Sequence, residues 1–265
     1  MTQPPNRLES LGFAHLPCRN LLGYPVLAAT MDDVVALCER AIELRVPLFL
    51  GQASGPTLVK VQRDYEFRRA FLEADLFFAD GAGVVLASRV LGRPVPERIA
   101  GIDLMYRLMQ RADAKRYRVY LLGAEQWVLD KVVESFRACY PGAVLVGSQN
   151  GFFTPDEEPG IAESIEASKA DILLVAMTSP KKERFIARWR DVLGVPVLHG
   201  VGGSFDVVAG KVRRAPAPVQ RLGLEWCYRI AQEPRRMWRR TGMANVLFAG
   251  MVAWEWTADI LRPEG

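Results

Sequence analysis

Short apolar runs that end in glycine or a small polar residue recur along the chain, and an amphipathic stretch follows most of them. The runs lie at 46–54, 75–83, 117–125, 143–151, 171–180 and 195–203. They are continuous rather than alternating, which is typical of strands buried on both faces of a sheet. The stretches between them predict helices, for example at 58–73, 126–139 and 157–169. Strands that alternate with helices predict an α/β fold, with a parallel, doubly wound sheet covered by helices on both faces.

The residues directly after each run are the candidate site, because ligands of such a sheet bind outside the carboxyl ends of its strands. They are Gln52, Ser54, Asp80, Gly81, Gly83, Gly123, Gly151, Phe152, Ser179, Lys182, Gly202, Gly203 and Asp206. The glycines would let backbone N–H groups approach a phosphate closely. Asp80, which ends the stretch "ADLFFAD", has two interpretations. It caps a helix that begins near Gly81, or it performs chemistry.

Composition narrows the classes of function. The four cysteines are scattered, and only two histidines are present, so the sequence predicts neither a disulfide framework nor a metal centre. We therefore expect no metal and no cofactor. A P-loop motif is absent, which excludes P-loop NTPases, and no G-x-G-x-x-G follows a strand, which leaves a nucleotide-dependent oxidoreductase weakly supported. The N-terminus shows no signal peptide, and no uncharged apolar run is long enough to predict a membrane span.

The C-terminal part of the chain differs from the rest in charge. Between Lys211 and Gly242 nine basic and two acidic residues give a net charge of +7, so the remaining residues carry −3 of the overall +4. The stretch 243–261 is apolar and contains Trp254 and Trp256. This pattern favours a helix in the membrane interface, and the alternative is a terminal helix packed on the core. We predict a core at 1–210 and a basic, membrane-docking appendage at 211–265.

Six stretches, taken in order, carry a resemblance to a known family: "ADLFFADGAGVV", "PERIAGIDLM", "NGFF", "SPKKE", "VGGSFDVVAGKVRRAP" and "LGLEWCYRIAQEPRR". From about residue 50 to 240 the chain resembles the WecG/TagA/CpsF family of bacterial glycosyltransferases. The resemblance implies a Rossmann-like core with a small helical appendage that docks on the membrane. It also implies metal-independent, inverting transfer from a UDP-sugar to a polyprenyl-diphosphate-linked saccharide. The protein would then be peripheral, at the cytoplasmic face of the bacterial inner membrane.

The resemblance implies roles for individual residues, and each has a structural alternative. Asp80 matches the catalytic base, and Asp206 matches the aspartate that holds the uracil; both could instead cap helices. Arg98 matches an arginine near the donor, and the alternative is a solvated surface charge. Phe152 stands where a tyrosine usually lies beside the base, and the alternative is a core aromatic. Gly123 and Gly151 fall in loops that border the nucleotide. Recurrent arginines of the appendage match Arg214, Arg221 and Arg229, which could instead bind only headgroups.

The chain departs from the family's pattern at positions that face the donor sugar or its diphosphate. Gln52-Ala53-Ser54 replaces the usual T-x-N, and Lys182 replaces the glutamine of P-K-Q-E. These changes lean away from the N-acetylmannosamine branch and favour glucose, as in xanthan-type assembly. The alternative donor is UDP-N-acetylmannosamine or its uronate.

A different class of function also fits the basic tail: a non-catalytic protein that binds a membrane surface or nucleic acid. Nucleic-acid binding predicts basic residues spread over a groove, whereas here they adjoin an apolar, tryptophan-rich end. We therefore expect three partners, which are a UDP-sugar, a polyprenyl-diphosphate-linked glycan and the cytoplasmic membrane surface, and no nucleic acid. The oligomeric state stays open, and a homo-oligomer is compatible with the sequence.

Overall fold

In the computed structural model, residues 5–221, 223–232 and 238–261 are described, and they contain one eight-stranded sheet. The strands are β1 (Cys18–Leu21), β2 (Tyr24–Leu27), β3 (Leu48–Ala53), β4 (Leu76–Ala79), β5 (Arg118–Gly123), β6 (Val144–Gln149), β7 (Ile172–Ala176) and β8 (Val197–Gly200). Their order in the sheet is β1-β2-β4-β3-β8-β7-β5-β6. Strands β2 to β8 are parallel to their neighbours, and β1 pairs antiparallel with β2 at the edge.

Helices cover both faces of the sheet. They are α1 (Pro5–Ser10), α2 (Met31–Leu44), α3 (Gly55–Arg63), α4 (Tyr65–Leu72), α5 (Ala82–Val90), α6 (Gly101–Lys115), α7 (Gln126–Cys139), α8 (Glu158–Ala167), α9 (Lys181–Leu193), α10 (Ser204–Val208), α11 (Ala217–Arg221), α12 (Glu225–Gln232) and α13 (Met243–Leu261). One core cluster joins the sheet to α3, α4, α5, α8, α9 and α13. A second joins the other face to α1, α2, α6, α7 and α10. The predicted α/β fold is confirmed.

The single helix predicted at 58–73 is two helices. Asp64 ends α3, and its side chain accepts a hydrogen bond from the N–H of Phe67 at 2.9 Å, which caps the start of α4. An aspartate in extended backbone satisfies a free N–H of the next helix, so the chain turns there rather than continuing.

Helix α13 packs against the core on one side and is exposed on the other. Phe248 and Val252 are buried in the first core cluster, next to α3. Arg93 joins Glu255 at 2.6 Å and Asp259 at 2.5 Å, so ion pairs also fix the helix to the core. Helix α13 therefore has the core contacts expected of a terminal helix packed on the core, which is the alternative to a helix in the membrane interface. The domain boundary at residue 210 stays a prediction.

The outward side of α13 is apolar. Its exposed large side chains are Met243, Val246, Trp254, Trp256, Ile260 and Leu261. None of the helices within the described ranges combines the length and the apolar character that crossing a bilayer requires.

Candidate active site

The carboxyl edge of the sheet brings the predicted site residues into one row. Neighbouring strands lie about 4.8 Å apart, so the end of β4 lies about 10 Å from the end of β8, two positions along. The end of β6 is three positions further, about 14 Å beyond β8. Asp80 therefore lies at one end of the row, Gln52 and Ser54 next to it, and Phe152 at the other end. An extended ligand that lies across the strand ends would contact all three regions.

Asp80 is half-buried where β4 ends. Its N–H donates to the carbonyl of Ala53 at 2.9 Å, which continues the pairing with β3, and its Oδ1 accepts from the N–H of Gly101 at 2.8 Å. The helix that follows, α5, is capped by Gly81 without a side-chain hydrogen bond. The capping interpretation of Asp80 is therefore wrong for α5. The carboxylate lies instead at the start of α6, where the helix dipole favours negative charge.

Arg98 is near Asp80 and is held in a four-residue ion-pair cluster. The N–H of Ile99 donates to the carbonyl of Ala79 at 2.8 Å, which places this segment beside the end of β4. The Arg98 guanidinium contacts Glu225 at 3.0 Å and Asp103 at 3.8 Å. A solvated surface charge is thus the wrong description, because the side chain is only 20% exposed and has two acidic partners.

Arg214 completes this cluster. It contacts Asp103 at 2.6 Å and Glu225 at 3.4 Å. Burial lowers the pKa of Arg214, but its hydrogen bonds to Asp103 and its attraction to both carboxylates outweigh this and raise it. Two guanidinium groups and two carboxylates leave no net charge in the cluster. Neither Asp103 nor Glu225 was predicted from the sequence.

Gln52 and Lys182 touch each other between β3 and α9. The Gln52 amide donates to the carbonyl of Gly200 at 2.5 Å, and the Lys182 ammonium donates to Gln52 Oε1 at 3.3 Å. Lys182 also lies 3.5 Å from Glu183, a buried carboxylate that accepts from Ser179 at 2.7 Å. The two departures from the family's pattern are therefore in direct contact.

Ser54 and two glycines of the row are helix caps. The Ser54 hydroxyl accepts from the N–H of Thr57 at 3.3 Å, at the start of α3. Gly81 and Gly203 are the N-cap residues of α5 and α10. These positions have a structural role, and their predicted substrate contacts stay predictions.

The loops after β5 and β6 pack tightly on each other through glycine. At Gly123 φ is +124°, and a Cβ would lie 2.4 Å from the carbonyl oxygen of Ala176, so only glycine fits. At Gly151 a Cβ would lie 3.1 Å from Gly123 Cα. The Gly151 N–H donates to the carbonyl of Ala124 at 2.9 Å. This N–H is therefore already used within the protein.

Phe152 and its neighbour have opposite environments. Phe152 is 76% exposed, whereas Phe153 is buried beneath the Lys181 ammonium, which lies 3.8 Å from the ring centroid. The core interpretation of Phe152 is therefore wrong. An exposed ring at the strand edge is available for stacking.

Asp206 lies within α10 and is not its cap, because Gly203 holds that position and no side-chain cap bond is present. Its Oδ1 is 3.6 Å from the Lys211 ammonium. The helix-cap interpretation is wrong here too. Lys211 also contacts Glu125, so Asp206 is linked to the loop after β5.

The structure also contains a buried histidine that sequence reasoning did not select. His199 on β8 is fully buried, and its Nε2 lies 2.9 Å from the carbonyl oxygen of Gly101. Burial lowers its pKa to about 4, so the imidazole is neutral at physiological pH. Gly101 therefore connects His199 to Asp80.

The side chains of Arg221 and Arg229 lie outside the described residues, so only Arg214 of the three tail arginines has a defined environment. In the described ranges, no three His, Cys, Asp or Glu side chains are arranged to hold a metal ion.

A family model described as "Glycosyl transferase WecG/TagA/CpsF family" matches residues 19–260. The chain belongs to this family. A relative from Bacillus spizizenii is 40% identical over 192 residues, which cover 72% of this chain and 74% of the relative. That protein is named an N-acetylglucosaminyldiphosphoundecaprenol N-acetyl-beta-D-mannosaminyltransferase. The predicted resemblance is confirmed.

Membership of a glycosyltransferase family gives the carboxyl-edge row a chemical context. The row contains the Asp80 carboxylate at one end and the exposed Phe152 ring at the other. The Asp206 carboxylate, which follows β8, lies between them. Glucose as the transferred sugar is not confirmed, because the relative's name specifies an N-acetylmannosaminyl group.

Proposed function

We propose that the protein is an inverting glycosyltransferase that moves a hexosyl group from a UDP-sugar to a polyprenyl-diphosphate-linked sugar in bacterial surface polysaccharide synthesis. The observation that carries the proposal is the Asp80 carboxylate. It is half-buried at the carboxyl edge, oriented by the Gly101 N–H, in a chain that belongs to a glycosyltransferase family. Asp80 acts as the general base in this proposal.

The reaction is a single displacement. The acceptor hydroxyl oxygen forms a bond to the anomeric carbon while the bond from that carbon to the UDP oxygen breaks on the opposite face. Asp80 accepts the hydroxyl proton, and UDP leaves with the electron pair. The configuration inverts because attack and departure occur on opposite faces of the ring.

Protein cations near the row would offset the charge of the departing diphosphate. Lys182 on α9, which contacts Gln52 of β3, is one candidate. Arg98 and Arg214 already face Asp103 and Glu225, so a phosphate would have to compete with these carboxylates. The tail arginines Arg221 and Arg229 are further candidates.

On the nucleotide side, Phe152 stacks on the uracil and Asp206 accepts its N3–H in the proposed complex. Stacking is supported by the exposure of the Phe152 ring, and acceptance by the partial exposure of the Asp206 side chain, which is 34%. Gly123 and Gly151 shape the loops that border the nucleotide.

Glucose is the proposed donor sugar, because Gln52 and Lys182 differ from the family's pattern and contact each other where the sugar would lie. The second candidate is an N-acetylmannosaminyl donor, which the 40% identical relative favours by its name.

The proposed location is the cytoplasmic face of the inner membrane, with the appendage 211–265 as the docking element. The exposed apolar side of α13 and the basic segment before it support this. Docking would bring the lipid-linked acceptor to the Asp80 end of the row.

The decisive experiment is UDP release from a panel of UDP-sugars, with a synthetic polyprenyl-diphosphate glycan as acceptor and vesicles present. Asp80→Asn should keep the hydrogen bond from Gly101 and the affinity for UDP but lower kcat about 100-fold or more, the usual contribution of a general base.

The matched control is Asp64→Asn, because Asp64 also accepts one backbone N–H at a helix start, away from the row. This variant should keep wild-type turnover. Full activity of Asp80→Asn would exclude the proposed base, and absence of UDP release with every donor would exclude the proposed reaction.

A further inference from the structure

Lys211 lies directly beside Asp206 and is fixed there by a second carboxylate. Its Nζ is 2.9 Å from Glu125 Oε1 and 3.6 Å from Asp206 Oδ1. Glu125 is itself held, because its Oε2 accepts from the indole N–H of Trp127 at 2.6 Å. The hydrogen bond to Glu125 is the main reason that the pKa of Lys211 is raised. A permanently charged donor therefore lies next to the carboxylate that is proposed to bind the base.

The hydrogen-bonding edge of uracil is satisfied by an acceptor with a donor beside it. Its N3–H is a donor, and a carbonyl acceptor lies on each side of it. A carboxylate that accepts the N3–H leaves these carbonyls in need of donors, since a buried acceptor without a partner weakens binding. An ammonium group has three N–H donors. Two carboxylates, those of Glu125 and Asp206, lie near the Lys211 ammonium. One donor is left for a ligand.

We propose that Lys211 donates a hydrogen bond to the C4 carbonyl of uracil, which is adjacent to the N3–H that Asp206 accepts, and that this pair selects uracil over cytosine. The inference rests on the proposed function and deepens it by adding a specificity-determining residue.

Cytosine presents the reverse pattern at this edge. Its N3 is an acceptor, and its N4 amino group is a donor. Asp206 would then face a lone pair, and Lys211 would face the amino group that replaces the C4 carbonyl of uracil. A site built to pair specific donors and acceptors rejects an analogue that leaves them unpaired. Discrimination therefore needs both residues.

The chain offers a matched control for the charge and for the aromatic contact. Lys131 and Lys211 each lie 5.4 Å from the centroid of the Trp127 ring. Among the described residues, the salt bridge to Asp206 comes from Lys211 and not from Lys131. Replacing Lys131 therefore removes one positive charge and one cation–π contact at the same ring without changing the proposed contact with uracil.

The test is titration calorimetry of UDP and of CDP with the full chain and with Lys211→Met, Lys211→Arg and Lys131→Met. Thermal unfolding of each variant establishes that it is folded.

Wild-type protein should bind UDP more tightly than CDP. Lys211→Met should lower the affinity for UDP about tenfold or more, as expected for a lost hydrogen bond to a charged donor, and change the affinity for CDP much less. Lys211→Arg should keep most of the preference, and Lys131→Met should keep all of it.

Two results would overturn the inference alone. In the first, Lys211→Met keeps the wild-type ratio of UDP affinity to CDP affinity. An equal loss of affinity for both nucleotides counts as this result, because it would mean that Lys211 only attracts the diphosphate. In the second, Lys131→Met lowers the ratio as much as Lys211→Met does. Wild-type protein that binds neither nucleotide would overturn the inference together with the proposed function, so the two failures are distinguishable.

Discussion

The buried His199 makes the stability of this protein depend on pH in a defined direction. Its Nε2 faces the carbonyl of Gly101, which can only accept, so Nε2 carries the proton. Its Nδ1 is buried and has no hydrogen-bond partner among the described residues. A second proton would create a charged ring with an unpaired N–H in the core. Burial is the main cause that lowers the pKa to about 4, and the nearby Lys182 lowers it further.

The size of the effect follows from the two pKa values. An unfolded histidine has a pKa of about 6.5. Between pH 6.5 and 4 the unfolded chain binds more protons at this residue than the folded protein does, so the free energy of unfolding falls as the pH is lowered. The loss is small at pH 7.5, reaches about 2 kcal/mol at pH 5.0 and levels off below the folded pKa.

The assay is urea unfolding at pH 7.5 and pH 5.0 of wild type, His199→Gln and His15→Gln. Glutamine at 199 can still donate to Gly101 but does not titrate. Its free energy of unfolding should therefore fall by about 2 kcal/mol less than that of wild type between the two pH values. Carboxylates that titrate in the same range are present in all three proteins and cancel in the comparison. The matched control is His15→Gln, because it also removes one imidazole, at an exposed position outside the core.

Equal losses in wild type and His199→Gln would refute the reasoning. That result would mean that His199 is protonated in the folded protein at pH 5, with an acceptor for Nδ1 that the structure does not show.

Two further predictions concern the C-terminal helix. Phe248→Ala should lower the free energy of unfolding by about 3–5 kcal/mol in urea titrations, because it removes a buried ring at the contact of α13 with α3. A loss below about 1 kcal/mol would mean that α13 is not packed against α3. Trp254 and Leu261 are exposed and lie seven residues apart on one side of the helix. Replacing both by serine should reduce flotation with anionic vesicles about tenfold or more. The control Tyr65→Ser, at a similarly exposed position on α4, should not reduce it. Unchanged flotation of the double variant would remove this side of α13 from the docking surface.

Much of the fold was predictable because its core strands carry a strong local signal. The six runs predicted as strands correspond to β3 to β8. Strands β3, β4, β5, β7 and β8 are buried along most of their length, so apolar residues occupy consecutive positions, whereas β6 lies at the sheet edge and is only partly buried. The helix predicted at 126–139 has the bounds of α7. Such signals are local, and no knowledge of distant residues is needed to see them.

The edge hairpin β1–β2 was not predicted, and its turn explains why. Leu21 pairs with Tyr24, which leaves Leu22 and Gly23 as a two-residue turn with φ values of 55° and 85°. A turn with positive φ at both positions usually carries Asn-Gly or Gly-Gly. Leucine is unusual there, so residues 22–23 carry no local signal for a hairpin. Edge strands also alternate between exposed and buried positions, which weakens the apolar pattern.

The site was predictable where topology alone places a residue and not where distant segments meet. Asp80 and Phe152 follow strands, so their place at the carboxyl edge required only the strand assignment. The contacts of Arg98 with Glu225 span 127 positions, and no local pattern announces them. The same holds for Lys211, whose partner Glu125 is 86 positions away.

Gly101 lies between the proposed base Asp80, the buried His199 and the side-chain amide of Gln52. Its N–H donates to Asp80, and its carbonyl accepts from His199. A Cβ at this position would lie 2.4 Å from Nε2 of Gln52, so the amide can reach its partner on β8 only because no side chain is present. Residues on or directly after β3, β4 and β8 thus lie beside Gly101 at the start of α6. Since packed interiors transmit displacements, protonation of His199 would act on the hydrogen bond that orients Asp80. The pH dependence of unfolding and the geometry of the proposed base therefore share one structural origin.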